Sequence, residues 1–144
     1  NLLVIVGDGP EKEILMRTAD AQRLNVLFTG RLEGDALNVW YNVADVFVLP
    51  SYKEAFGAVT NEALLAGCYA LVSVKAGSSC LIVESENGYT FQPMEVDTLC
   101  QKMEQVSSFP TLREPDGLKQ NRMKLSYREC MDGLVAHLNA LAHG

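Results

Sequence analysis

Histidine is almost absent from this chain of 144 residues: there are two, His137 and His143, both within the last eight positions. A tetrahedral zinc site or a Ser-His-Asp triad therefore has almost no raw material. The four cysteines, at 68, 80, 100 and 130, form no Cys-x-x-Cys pair and have no histidine at ligand spacing. At this size and density they read as reduced thiols in a cytoplasmic setting, not as a disulfide framework. Positive charge is scarce too. Twelve Lys and Arg against eighteen Asp and Glu give a net charge of −6, which argues against a general nucleic-acid or acidic-membrane binder. The longest nearly apolar stretch, Ala63 to Val74, is broken by Gly67 and too short to span a bilayer. No initiator Met or signal-peptide pattern precedes Asn1-Leu2-Leu3, so we expect a fragment of a larger protein.

What is present suits one domain with a real core: 48% of the residues are hydrophobic and 21% charged. Leu2–Val6 is a continuous apolar run, expected as a strand buried on both faces. Gly7-Asp8-Gly9-Pro10 leads into a helix with Pro10 at or near its first position and Ile14, Leu15, Thr18 and Ala21 on one face. The third glycine of a dinucleotide fingerprint would fall at Lys12, so this turn is read mainly as turn chemistry. Val26–Thr29 is a second strand, ended by Gly30, and Asp35–Ala44 a helix carrying Leu37, Trp40 and Tyr41, with Trp40 read as packing. Val46–Leu49, a helix over Gly57–Ala66, a stop at Gly67 and a buried strand over Tyr69–Val74 follow. Leu81–Val83 reads as a short strand or helical turn, and Asn87–Phe91 as the last strand. Val96, Leu99, Met103 and Val106 mark an amphipathic helix over 95–106. Ser107–Pro115 is expected as a loop, with terminal helices over Leu118–Met123 and Tyr127–Leu141 that place Met123, Met131, Leu134, Leu138 and Leu141 in the core. Strand and helix in alternation give an α/β class: a Rossmann-like parallel sheet with helices on both faces and right-handed crossovers.

The richest stretch is 50–67, where the third strand stops at Pro50, a polar turn follows, and Gly57 opens a helix. Glu54 lies before that helix and Glu62 inside it, with seven residues between them. The unpaired N–H groups from about Phe56 to Val59 would face a ligand above the strand end, and Gly57 has no Cβ to hold it off. A Glu in a first helical turn is favourable beside the positive end of the dipole, which is one sufficient reason for Glu62. The other is that both carboxylates accept hydrogen bonds from the hydroxyls of a sugar-bearing ligand, two acceptor oxygens suiting a vicinal diol.

Glu54-Ala55-Phe56-Gly57-Ala58-Val59-Thr60-Asn61-Glu62-Ala63 resembles the E-x7-E signature of the GT4-type (group 1) retaining glycosyltransferases, which have the two-domain GT-B fold. Ala44-Asp45-Val46-Phe47-Val48-Leu49-Pro50-Ser51 is similar to the strand that precedes that signature, and Ile5–Pro10 and Val26–Gly30 to two earlier strand ends, in order. The resemblance covers about residues 2 to 106. It implies the C-terminal, nucleotide-sugar-binding half of such an enzyme, with residues 1–144 as one domain. The implied reaction moves a sugar from a nucleotide-diphosphate sugar to an acceptor with retained configuration and without a metal or other cofactor. In that reading Glu54 holds hydroxyls of the donor sugar and Glu62 the ribose diol. The amides of Phe56, Gly57 and Ala58 cradle sugar and diphosphate. Thr60 either bonds a phosphate or packs the helix, and Lys53 is read as solvated. The nucleobase lies near Gly30, Arg31 and Leu32, with a solvated surface cation as the alternative for Arg31.

The chain also departs from the family. Gly-x-Pro-Val after the helix becomes Gly67-Cys68-Tyr69-Ala70, and Gly-Gly-x-x-Glu becomes Ala76-Gly77-Ser78-Ser79-Cys80, without the acid. The family's first strand–helix unit, with its pyrophosphate-clamping Arg/Lys pair, and its acceptor domain have no counterpart in these residues. That strand would lie centrally, between Leu2–Val6 and Val46–Leu49. Either these two strands close up and pair in a shortened sheet, which we expect, or another chain fills the gap and makes an oligomer. The fragment is expected not to turn over alone. The full-length protein is expected in the cytoplasm or at the cytoplasmic face of a membrane. The alternatives are a non-catalytic binding or interaction domain decayed from a transferase, and a GT-B-fold epimerase or phosphorylase.

Overall fold

A computed structural model describes residues 1–109, 117 and 119–142 as an α/β chain in two compact units, Asn1–Trp40 and Tyr41–Gly144. The first unit is one strand–helix–strand crossover: β1 (Leu3–Val6), α1 (Lys12–Ala21) and β2 (Val26–Gly30). The strands pair in parallel from Leu3 with Val26 to Val6 with Gly30, with a register irregularity between Ile5 and Val6. The turn after β1 is built by Asp8, whose Oδ1 accepts the Gly9 N–H at 2.9 Å while its other oxygen takes Lys12 Nζ at 3.2 Å. Lys12 and the Gly9 amide hold the Asp8 carboxyl below its ordinary value.

The expectation that Leu2–Val6 is buried on both faces is not met: Leu3 is 48% exposed and Val6 39%. A two-stranded sheet with one crossover helix supplies one partner strand and no second layer. The expected α1 face is likewise open at Ile14, Leu15, Thr18 and Ala21; the buried residue of this helix is Ala19.

Helix α2 (Gly34–Val43) begins in the first unit and ends in the second. The second unit continues with β3 (Val46–Leu49), α3 (Val59–Leu65), β4 (Tyr69–Ser73), a 3-10 turn at Gly77–Leu81, β5 (Gly88–Phe91), α4 (Val96–Ser107) and α5 (Tyr127–Ala142). Its strands lie in the order β3-β4-β5, all parallel. Every residue of β4 is buried, because the strand is flanked on both edges and covered on both faces. Its side chains alternate accordingly. Tyr69 and Leu71 join Tyr89, Phe91 and Val106 in one cluster, while Ala70 and Val72 join Leu64 and Ala76 in another. Thus α4 covers one face and α3 the other. Gly67, at φ +82°, ends α3 with the Cys68 N–H on the Ala63 carbonyl and its own N–H on that of Leu64.

Three further expectations need correction. Among the described residues the strands pair as β1-β2 and β3-β4-β5, so the direct pairing expected of Leu2–Val6 with Val46–Leu49 is not formed. β1 takes its hydrogen-bonded partner from β2, and β3 takes its own from β4. Residues 119–123 are not helical; Leu118, like 110–115 of the expected loop and His143, lies outside the described residues. In place of a helix of its own, the segment spends polar groups on the ends of other helices. Lys119 Nζ donates to the carbonyls of Tyr41 and Ala44 at the end of α2, and Arg122 donates through its N–H to Leu64 and its Nε to Gly67 at the end of α3. Met123 packs as expected against the Leu64 cluster, but Met131, Leu134, Leu138 and Leu141 of α5 are exposed. Helical spacing defines an apolar face without saying whether anything covers it. On α4 the same pattern is half covered: Val106 is buried and Leu99 packs on the core, whereas Val96 and Met103 are exposed.

Candidate functional site

The loop between β3 and α3 is held by the segment that leaves β4. Glu54 forms an isolated parallel bridge with Ala76: its N–H donates to Lys75 O and its carbonyl accepts from Gly77, both at 3.2 Å. Ser78 N–H then donates to Phe56 O at 2.7 Å. Close approach explains the two glycines. A Cβ on Gly57, at φ +88°, would sit 2.8 Å from Leu49 Cδ2 and 3.0 Å from Ser78 Oγ. A Cβ on Gly77 would fall 2.3 Å from the Ala55 carbonyl. Beneath the loop, the Thr60 and Ser78 hydroxyls are 2.9 Å apart and buried.

Above that base the loop is open. Glu54 is half-buried with its Cγ against the Gly57 position, while Phe56, Ala58 and Glu62 are exposed, as is Lys53. Among the described residues no backbone hydrogen bond is donated by Phe56, Gly57, Ala58 or Val59, so four amides in sequence stand between the two carboxylates along the chain. Glu62 occupies the first turn of α3. Burial first, then the Glu62 charge, pushes the Tyr41 phenol well above its ordinary value. The structure thus gathers Glu54, Phe56, Gly57, Ala58, Thr60 and Glu62 on one strand–loop–helix unit. Gly30, Arg31 and Leu32 lie in the other unit at the end of β2, where Arg31 is exposed and paired with Glu33, Nη2 to Oε1 being 2.6 Å.

Sequence reasoning assigned no part to Tyr41 or to Ser78. Twenty-one positions separate Tyr41 from Glu62, and nothing in either local pattern signals that the Glu62 charge bears on the Tyr41 phenol; it needs α2, β3 and α3 in place. Ser78 had a signal, the small residues of Ala76-Gly77-Ser78-Ser79, which was read as a lost motif and not as a packing surface.

The model of the family described as "Glycosyl transferases group 1" matches residues 1–123. The chain belongs to that family. Sulfoquinovosyl transferase SQD2 of Arabidopsis thaliana is similar to this group 1 chain, 35% identical over 105 residues, which are 70% of this chain and 20% of that protein. The C-terminal domain of a glycosyl transferase group 1 family protein (LpcC) from Francisella tularensis superposes with a TM-score of 0.68 at 25% identity, covering 77% of this chain and 61% of that one. Sucrose-phosphate synthase from Thermosynechococcus elongatus shares the fold, with a TM-score of 0.71 at 23% identity over 99% of this chain and 39% of its own. The group 1 chain spans 20–29% of the length of the curated relatives it first matches. Among the described residues no helix is long and apolar enough to cross a membrane.

Proposed function

We infer that this chain is the donor-binding part of a GT4-type retaining glycosyltransferase. The reaction moves a sugar from a nucleotide-diphosphate sugar to an acceptor held by another part of the protein. The observation that carries the reading is the exposed loop in which Glu54, four undonated amides and Glu62 follow one another, pinned from below by Gly57, Gly77 and the Thr60–Ser78 pair. Glu54 holds hydroxyls of the donor sugar and Glu62 the ribose diol, each by accepting. The amides of Phe56, Gly57 and Ala58 lie where negative charge develops on the departing diphosphate, and oriented N–H donors stabilise such charge without reorganising. Gly30, Arg31 and Leu32 serve the nucleobase, and Thr60 supports α3 from beneath. No metal or other cofactor enters this scheme, and the protein works in the cytoplasm or at its membrane face. Residues 1–144 alone bind donor without turning it over.

One observation favours a second reading, a binding domain decayed from a transferase: the exposed Cys80 stands where the family has an acid. Calorimetric titration of UDP-, GDP- and ADP-sugars against wild type and Glu62→Ala separates the two. Binding of one donor to wild type, weakened about tenfold or more in Glu62→Ala, supports the transferase. Absence of binding by all three supports decay.

A further inference from the structure

Three successive carbonyls turn toward the segment that leaves β4. The Glu54 oxygen accepts from the Gly77 N–H at 3.2 Å, and the Phe56 oxygen from the Ser78 N–H at 2.7 Å. Between them the Ala55 carbonyl faces Gly77 itself. A Cβ on Gly77 would lie 2.3 Å from the Ala55 oxygen but 3.2 Å from its carbon, so the C=O bond points at that glycine. The peptide bonds here are trans, and in a trans peptide the N–H runs opposite to the C=O. The N–H groups paired with those carbonyls, of Ala55, Phe56 and Gly57, therefore point away from the turn. None of the three donates a hydrogen bond among the described residues, and Ala55 and Phe56 are exposed. Successive N–H groups gathered on one side make a concavity suited to an anion.

We propose that Gly77 is a positioning residue of this site: having no side chain, it lets the three carbonyls turn inward and so aims the Ala55, Phe56 and Gly57 amides at the donor's diphosphate. This rests on the reading of the loop given above, and adds the Ala55 amide and a cause for the direction of all three. Ala55 follows Glu54, which holds the sugar, so its N–H belongs to the phosphate next to the sugar. A Cβ at Gly77 pushes the Ala55 oxygen aside, and that carbonyl yields only by rotating its peptide plane, which carries the Phe56 N–H with it. A glycine needed for close packing alone would change stability and weaken every ligand alike. One that aims donors changes the recognition of one phosphate.

The test uses whichever of UDP, ADP and GDP the purified protein binds, beside the matching monophosphate. In wild type the amide proton resonances of Ala55, Phe56 and Gly57 are expected to move downfield when the diphosphate is added. Calorimetry is expected to give the diphosphate an advantage over the monophosphate of about tenfold or more, the size of one hydrogen bond to a charged group. Gly77→Ala is expected to cut that advantage to about twofold and to leave monophosphate affinity unchanged. The advantage is a ratio measured on one preparation, so partial unfolding does not imitate its loss. If Gly77→Ala does not fold, the wild-type resonances decide. An Ala55 resonance that stays in place at saturation, or a Gly77→Ala protein that keeps the wild-type advantage, overturns the proposal. The reading of the loop survives that result if Glu62→Ala still weakens binding, and falls together with the proposal if none of the three diphosphates binds.

Discussion

The two units are written in the same strand–helix–strand grammar and end in different physical states. In the second, β4 has a strand on each edge and a helix on each face, and all five of its residues are buried. In the first, β1 has one neighbour and keeps Leu3 and Val6 in contact with solvent. An apolar run makes a strand in both cases. Whether it makes a core depends on how many layers its neighbours supply, which no property of the run records.

The largest effect that separates the units is expected from cavity formation. Leu71→Ala, in fully buried β4, is expected to lower stability by about 2–5 kcal/mol, and Leu3→Ala in β1 by less than about 1 kcal/mol. Denaturant unfolding of the two variants measures this, and equal losses would break the comparison. Next come two glycines with positive φ, Gly57 at +88° and Gly7 at +134°. A Cβ at Gly7 meets nothing within 4 Å, whereas one at Gly57 meets Leu49 and Ser78. Gly7→Ala is expected to cost the backbone strain alone, about 1–2 kcal/mol, and Gly57→Ala about 1–3 kcal/mol more together with loss of donor affinity. Thermal unfolding and donor titration of both variants check the order. A Gly57→Ala protein that binds donor like wild type would show that the close packing beneath the loop has no part in the site.

The smallest effect is pH-dependent and belongs to the first unit. The Asp8 carboxyl is held below its ordinary value of 3.8 by Lys12 and the Gly9 amide. A carboxylate with a depressed folded pKa stabilises the fold above the unfolded value and loses that contribution as the pH falls through the folded one. Asp8→Asn is therefore expected to lower the unfolding midpoint slightly above about pH 4, neutral pH included, and to converge on wild type as the pH falls through the folded value. An identical acid profile in both proteins would sink this prediction.

Local patterns reported local structure well. The runs Val46–Leu49 and Tyr69–Ser73 formed the expected strands, Gly67 ended its helix with the expected positive φ, and Glu54 and Glu62 fell on a loop and in a first helical turn. What was illegible depended on contacts between distant residues. Lys119 and Arg122 sit in a stretch that reads as helix, yet their donors are taken by carbonyls at the ends of α2 and α3, and the backbone there is not helical. Met131, Leu134 and Leu138 repeat as regularly as any core face and remain exposed, because periodicity carries no information about a partner. Ser78 against Thr60 is the same lesson inside the site: one half of the pair belongs to the motif, and the other becomes visible only once the turn after β4 is placed.

The most direct test of the donor-site assignment is a crystal structure of the protein bound to the nucleoside diphosphate it prefers. The account predicts a ribose hydroxyl within hydrogen-bond distance of Glu62 and the diphosphate facing the Phe56–Val59 amides. A nucleotide bound elsewhere, with Glu62 and those amides in contact only with water, would contradict it.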